Sequence, residues 1–183
     1  MQKKITWHGQ AWQSEEQCEI SSSEAGIEVR GSIQGTSEDG QDFEINYTLE
    51  LSPEWQIQHV VVRDAKDEGN ELDLQYENGQ WFAVDGWHLG NFDHVEYVDI
   101  TLTPLTNTLP IRHLEFAEGE PQSISVLYID LPSFKVRKVD QYYTKIGKNT
   151  YRFQQDDFTA DIVVDDEGFV VVYPDLFTAG KDT

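Results

Sequence analysis

The sequence predicts one all-β domain: a single-domain antiparallel β-roll or incomplete barrel of a dozen or more short strands with little helix. Three observations carry that expectation. Apolar residues recur at every second position in segment after segment, the period of a half-buried strand. Turn-forming Gly, Asn, Asp and Pro punctuate the chain about every ten residues, the spacing expected of sandwiches, rolls and barrels. The hydrophobic content of 38% is concentrated in aromatic and β-branched residues, with five Trp, eight Tyr and nine Phe against one Met, as suits a core supplied by sheets. No stretch carries a helical stripe over three turns.

Ile5–His8 opens the chain, and Glu15–Ile20 reads as a short strand closed by a Ser21–Gly26 turn. Ile27, Val29 and Ile33 alternate with polar residues in a strand interrupted at Gly31, and Asp39-Gly40 then signals a hairpin. The return is the cleanest strand of the chain: Phe43, Ile45, Tyr47, Leu49 and Leu51 alternate with Glu44, Asn46, Thr48 and Glu50. A further strand runs from Trp55 to Arg63, where continuous Val60-Val61-Val62 predicts cover on both faces. Leu72–Tyr76 and Trp81–Val84 flank a second tight turn at Asn78-Gly79; Asp85–His94 has no clean period, and Asp85–Glu96 has room for a short helix. Strands are then expected at 97–102, 111–116, 123–130, 134–144 and 150–154, and a last hairpin joins 158–164 to 169–173 through Asp165-Asp166-Glu167-Gly168. Residues 178–183 read as a frayed tail of the 1–183 domain.

Charge and cysteine content exclude several classes of function. Thirteen Lys and Arg against 34 Asp and Glu give a formal charge of −21, which argues against nucleic acid as a partner because phosphate binding needs clustered cations. Cys18 is the only cysteine, so no intramolecular disulfide forms, and a small core residue is the simpler reading of it. The N-terminus has no secretory h-region, and no apolar run approaches the roughly 20 residues of a membrane-spanning helix. The expectation is a cytoplasmic protein without stable membrane insertion; its oligomeric state is not legible.

One stretch fits neither period: Asp99-Ile-Thr-Leu-Thr-Pro-Leu-Thr-Asn-Thr-Leu-Pro-Ile-Arg-His113. It reads as an irregular segment held between two strands with polar groups aimed at a partner. With Ile111–Phe116 taken as a strand, Arg112 shares a face with Leu114 and Phe116. If that face is the interior, the guanidinium needs either a carboxylate such as Asp99 or an anionic or polyhydroxylated ligand. Asn107 has the same two readings, since Asn and Thr also satisfy local backbone in turns. Trp55, Trp81, Trp87, Tyr142, Tyr151 and Tyr173 could line a sugar or lipid pocket, or simply fill the core.

His88, Asp93 and His94 match no metal signature, so no metal and no cofactor is expected. Asp156-Asp157 and Asp165-Asp166 lie at turns, and sequence cannot show two carboxylates facing across a pocket as glycosidases require. Nucleotide fingerprints and the Gly-x-Ser-x-Gly elbow are absent. Six of the basic residues fall between Lys135 and Arg152, a neutralising patch that could face a phosphorylated head group or balance nearby acids.

The stretch 99–114, together with Gln141-Tyr-Tyr-Thr144 and Asp165-Asp-Glu-Gly-Phe-Val-Val-Val-Tyr-Pro174 in that order, resembles the signature and C-terminal motifs of the bacterial Putative glycolipid-binding family. The resemblance covers nearly the whole chain. It implies a roll or incomplete barrel with an internal groove, similar to lipoprotein carriers, and glycolipid as the partner. His113 stands where that pattern carries a second arginine, and Gly90–Asp93 lacks an expected cysteine.

The reading reached is a non-catalytic protein holding a glycolipid or related amphiphile in a partly apolar groove. Arg112, Asn107, His113 and Asp99 are the expected head-group contacts, and Trp81, Trp87, Tyr142 and Tyr173 the expected lining. The alternatives are a hydrolase acting on a sugar or lipid ester, and a structural or protein-interaction module without ligand.

Overall fold

The computed structural model describes residues 2–37 and 39–180. Its strands are β1 (Gln2–Gly9), β2 (Ser14–Ser23), β3 (Gly26–Thr36), β4 (Asp42–Leu51), β5 (Ile57–Asp64), β6 (Glu71–Glu77) and β7 (Gln80–Ala83), followed by β8 (Tyr97–Ile100). One α-helix, α1 (Leu105–His113), separates β8 from β9 (Pro121–Asp130), β10 (Lys135–Gly147), β11 (Thr150–Gln155), β12 (Phe158–Val164), β13 (Val170–Tyr173) and β14 (Phe177–Ala179). All belong to one open 14-stranded sheet in the order β7-β6-β5-β4-β3-β2-β1-β14-β13-β12-β11-β10-β9-β8. The sheet is therefore two meanders joined where β1 pairs with β14.

The all-β expectation holds, and the alternation that suggested it is the sheet's inner face. Phe43, Ile45, Tyr47, Leu49 and Leu51 of β4 are all buried. Val60, Val61 and Val62 are all buried as well, so β5 is covered on both faces. The Asn78-Gly79 turn has positive φ at both residues, 52° and 81°, as a two-residue hairpin requires to match strand twist. Asp85–Glu96 holds a single 3₁₀ turn at Gly90–Phe92, and Trp81 Nε1 donates to the Val95 carbonyl at 2.7 Å, drawing the β7 end of the sheet toward the start of β8.

The stretch that fitted no period is α1, and this corrects the expectation of an irregular segment leading into a strand at 111–116. Every residue from Leu105 to Ile111 is buried. A helix enclosed on all sides needs no amphipathic stripe, so it leaves no periodic signal. Its presence follows from topology. β8 runs parallel to β9, the one parallel pairing among the described residues, and a parallel pair requires a crossover, usually helical. Here the crossover lies inside the curved sheet, packed against β8 and β13. Strand parity therefore does not orient Arg112. Of the residues expected to form a frayed tail, Thr178 and Ala179 pair with β1, while 181–183 lie outside the described residues.

One glycine shows how the inner face is shaped. Gly31 of β3 is flanked by Tyr47 of β4 and Cys18 of β2. A Cβ at Gly31 would lie 2.0 Å from Tyr47 Cε1, so the missing side chain lets the tyrosine ring lie across β3. Its hydroxyl thereby reaches Glu16 on β2.

Candidate functional site

The polar residues of the signature are spent largely on holding α1 inside the sheet. Thr103 Oγ1 accepts the Leu105 N–H at 3.1 Å and donates to Glu16 Oε1 at 2.9 Å. Thr106 Oγ1 accepts the Ile100 N–H at 3.3 Å and donates to Asp99 Oδ1 at 2.8 Å. Asn107 Nδ2 donates to the Tyr143 hydroxyl at 2.8 Å. At the far end, Arg112 donates to the Glu167 carbonyl and its guanidinium lies 4.2 Å from the Trp55 ring centroid and 5.6 Å from that of Phe169. His113 Nδ1 bonds the Tyr97 hydroxyl at 2.6 Å, and its Nε2 bonds Gln56 Nε2 at 3.1 Å.

Beside the start of α1 lies a pocket of about 240 Å³. A connected series of rings forms its apolar wall: Trp12 stacks on Phe177 at 6.0 Å, Phe177 meets Tyr173 at 6.3 Å, and Tyr173 meets Phe153 at 6.0 Å and Phe158 at 6.2 Å. Phe158 is 41% exposed and stands at the rim. Polar groups share the lining: Asp99, Asn107, Gln155, Thr101 and Thr103 border the same space. Gln141 Nε2 donates to both Asp99 Oδ2, at 2.6 Å, and Gln155 Oε1, at 2.9 Å, fixing the two relative to one another. Burial raises the Asp99 pKa even though Gln141 and Thr106 donate to its carboxylate. Burial likewise pushes the Tyr173 hydroxyl up, with Tyr143 and Asp99 adding to the shift.

Of the residues expected from sequence to contact a ligand, the structure brings Asp99, Asn107 and Tyr173 together at this pocket. The others lie apart. Trp81 is fully buried with its indole N–H on Val95, Trp87 is 73% exposed, and Tyr142 lies on an outer polar notch. His113 borders a separate pocket of about 200 Å³ with Ser52 and Tyr97. Arg112 lines none of these; it meets a main-chain carbonyl and two rings instead of Asp99 or an open cavity.

Sequence reasoning missed Glu16, Trp12, Phe153, Phe158 and Gln155. The ring residues and Gln155 gave no signal, because Trp12, in the β1–β2 turn, reaches the β11–β12 hairpin that carries Phe153, Gln155 and Phe158 only through the folded sheet. Glu16 did give one: it sits at an inward position in the alternation Ser14, Glu16, Cys18, Ile20. Its carboxyl is 2% exposed, accepts from Tyr47 and Thr103, and leaves Oε2 without a partner among the described residues. Burial pushes its pKa up to about 8, so it holds a proton at neutral pH. Cys18, beside it, has its thiol pushed up by burial and by Glu16, which suits a core residue rather than a nucleophile.

The pocket's lining contains one carboxylate, Asp99, and no histidine, serine or cysteine, so the paired carboxylates of a glycosidase are not assembled there. In the smaller pocket Ser52 Oγ donates to Glu54 Oε2 at 2.9 Å rather than to His113. His88 Nε2 and Asp93 Oδ1 are 2.6 Å apart, but among the described residues no three His, Cys, Asp or Glu side chains are grouped to hold a metal ion. No helix among the described residues is long and apolar enough to cross a membrane.

Comparison with known proteins agrees with this architecture. The crystal structure of a DUF1089 family protein from Pseudomonas aeruginosa superposes with a TM-score of 0.79 at 28% identity, covering 89% of this chain and 91% of that one. No curated protein matches the chain. Residues 4–179 match the family described as Putative glycolipid-binding. With that match running from β1 to β14 and taking in the buried crossover helix, the chain belongs to the Putative glycolipid-binding family.

Proposed function

We propose that this protein binds an amphiphile, a glycolipid or a close relative, without catalysing a reaction on it. The observation that carries the proposal is a pocket whose lining combines six aromatic rings, those of Trp12, Tyr128, Phe153, Phe158, Tyr173 and Phe177, with the polar side chains of Asp99, Asn107 and Gln155. Ligand sites are largely apolar concavities with a few fixed polar groups, and that description fits this pocket. The polar side offers acceptors and amide donors suited to hydroxyls. Its size narrows the ligand further. About 240 Å³ falls below the roughly 300–1,000 Å³ of sites for drug-sized molecules, so it accommodates one alkyl chain or one ring, not two acyl tails.

Within this reading Asp99, Asn107 and Tyr173 contact the ligand. Arg112, His113 and Trp81 hold the frame around it, through the carbonyl, tyrosine and main-chain contacts already described. Thermal unfolding in the presence of single-chain and double-chain glycosides of equal head group tests the proposal. A rise in Tm confined to the single-chain compounds supports it. No rise with any amphiphile, together with native mass spectra of the purified protein that show no bound lipid, contradicts it.

A further inference from the structure

The aromatic pocket has a polar neighbour where the sheet is incomplete. β10 pairs with β9 along 135–144 but with β11 only along 142–147, so 135–141 form ladder bonds on one side only. Beside this gap lies an open polar notch of about 730 Å³, bordered by Arg137, Lys138, Asp140, Tyr142, Gln155 and Asp156.

Two contacts join the notch to the aromatic pocket. Gln155 borders both. Arg137 borders the notch, and its guanidinium lies 4.5 Å from the ring centroid of Tyr128, which lines the pocket. The two spaces thus meet across the gap, one apolar and the other polar.

The charge at the notch departs from the rest of the molecule. In a chain of net charge −21, half of the basic side chains among the described residues are held by carboxylates, among them Lys3 by Asp165 and Glu167, Arg63 by Glu71 and Arg152 by Asp161. Among the described residues, Lys135, Arg137 and Lys138 have no carboxylate within ion-pair distance, and they fall together on the unpaired part of β10. Of the two acids at the notch, Asp140 accepts from Ser125 Oγ at 2.5 Å, and Asp156 sits in the β11–β12 turn with φ of 50°. Cations without a carboxylate partner beside an open recess are where an anionic group gains charge-assisted hydrogen bonds.

Resting on the amphiphile-binding reading, we infer that the ligand lies across the gap between β10 and β11. Its alkyl chain occupies the aromatic pocket, and its head group carries a negative charge, on phosphate, sulfate or carboxylate, against Arg137 and Lys138. The gap is the portal by which the chain enters, and Phe158 at the rim lies against it.

Octyl phosphate, octyl glucoside and inorganic phosphate, titrated below micellar concentrations into the full-length protein at low ionic strength, test this. The expected result is that octyl phosphate binds at least about tenfold more tightly than octyl glucoside, and that the preference shrinks as salt screens it. Inorganic phosphate alone binds too weakly to compete with octyl phosphate. The double variant Arg137→Gln/Lys138→Gln abolishes the preference, whereas Lys145→Gln, at a lysine of the same strand outside the notch, retains it. Equal affinity for the two octyl compounds in the unaltered protein overturns the inference and leaves the binding proposal standing. Retention of the preference in the double variant also overturns it, as does competition by inorganic phosphate equal to that of octyl phosphate. If neither octyl compound binds, both proposals fall.

Discussion

Thr103 Oγ1 stands 2.9 Å from Glu16 Oε1 while accepting the Leu105 N–H, so one hydroxyl ties a protonated acid on β2 to the first turn of the buried helix. Tyr47, passing over Gly31, donates to the same carboxyl oxygen. The start of α1, and with it the polar side of the aromatic pocket, depends on this small network. A neutral Glu16 is what makes the network affordable in a dry interior, because an ionised carboxylate there would carry a desolvation penalty of several kcal/mol.

Glu16 therefore sets a pH dependence of stability. Its pKa in the folded state is up at about 8, against an ordinary value of 4.5. Between those values the folded chain holds a proton that the unfolded chain has released, so this residue's contribution falls as pH rises from about 4.5 to about 8. At roughly 1.4 kcal/mol for each unit of pKa difference, the loss is on the order of a few kcal/mol. Urea unfolding at pH 5, 7 and 9 should show Glu16→Gln gaining on the unaltered protein as pH increases. A constant difference across that range would show that Glu16 does not titrate in the interior.

Gly31→Ala places a methyl where the Tyr47 ring lies, 2.0 Å from Cε1. The ring must swing away, breaking its bond to Glu16, at a cost of about 1–3 kcal/mol or more. In Gly31→Ala/Tyr47→Ala the second substitution removes the clash, so the combined loss should be clearly less than the sum of the single losses. Additive losses would mean that the two residues act independently.

Asn107→Ala removes the donor to the buried Tyr143 hydroxyl. A loss of about 1–3 kcal/mol is expected from the unpaired partner, accompanied by weaker binding of a single-chain glycoside because Asn107 also lines the pocket. Chemical denaturation and the glycoside titration read the two effects separately.

Arg112→Ala behaves differently. Removing the contacts to Trp55 and the Glu167 carbonyl should cost about 1–2 kcal/mol, the range of a partly exposed cation–π contact plus one hydrogen bond. Glycoside affinity, measured well below the melting temperature, should stay within about twofold, a difference under 0.5 kcal/mol. A tenfold loss of affinity at unchanged stability would reassign Arg112 to the ligand.

The strands were legible because each buries one face and exposes the other, and period two records that directly in β4. α1 was not, because burial on every side erases the stripe by which a helix is recognised. Thr106, Asn107 and Arg112 looked like a ligand-facing array, but within the sheet each finds a protein partner. Asp99, Asn107 and Tyr173 could be named from their residue types. Their meeting with Trp12, Phe153 and Phe158 could not, since Trp12 near the start of the chain and the β11–β12 hairpin are brought together only by the β1–β14 pairing and the curvature of the sheet. Glu16 was visible as a charged residue at an inward strand position, a break in the pattern that marks a buried polar group.

The central claim is that the aromatic pocket holds an alkyl chain. A crystal structure of the protein with 8-bromo-octyl glucoside, recorded at the bromine absorption edge, tests it most directly. The account predicts an anomalous peak among Trp12, Phe153 and Tyr173, with the sugar toward Gln155. Bromine found only on the outer surface, in a protein whose pocket is closed by its own side chains, would contradict it.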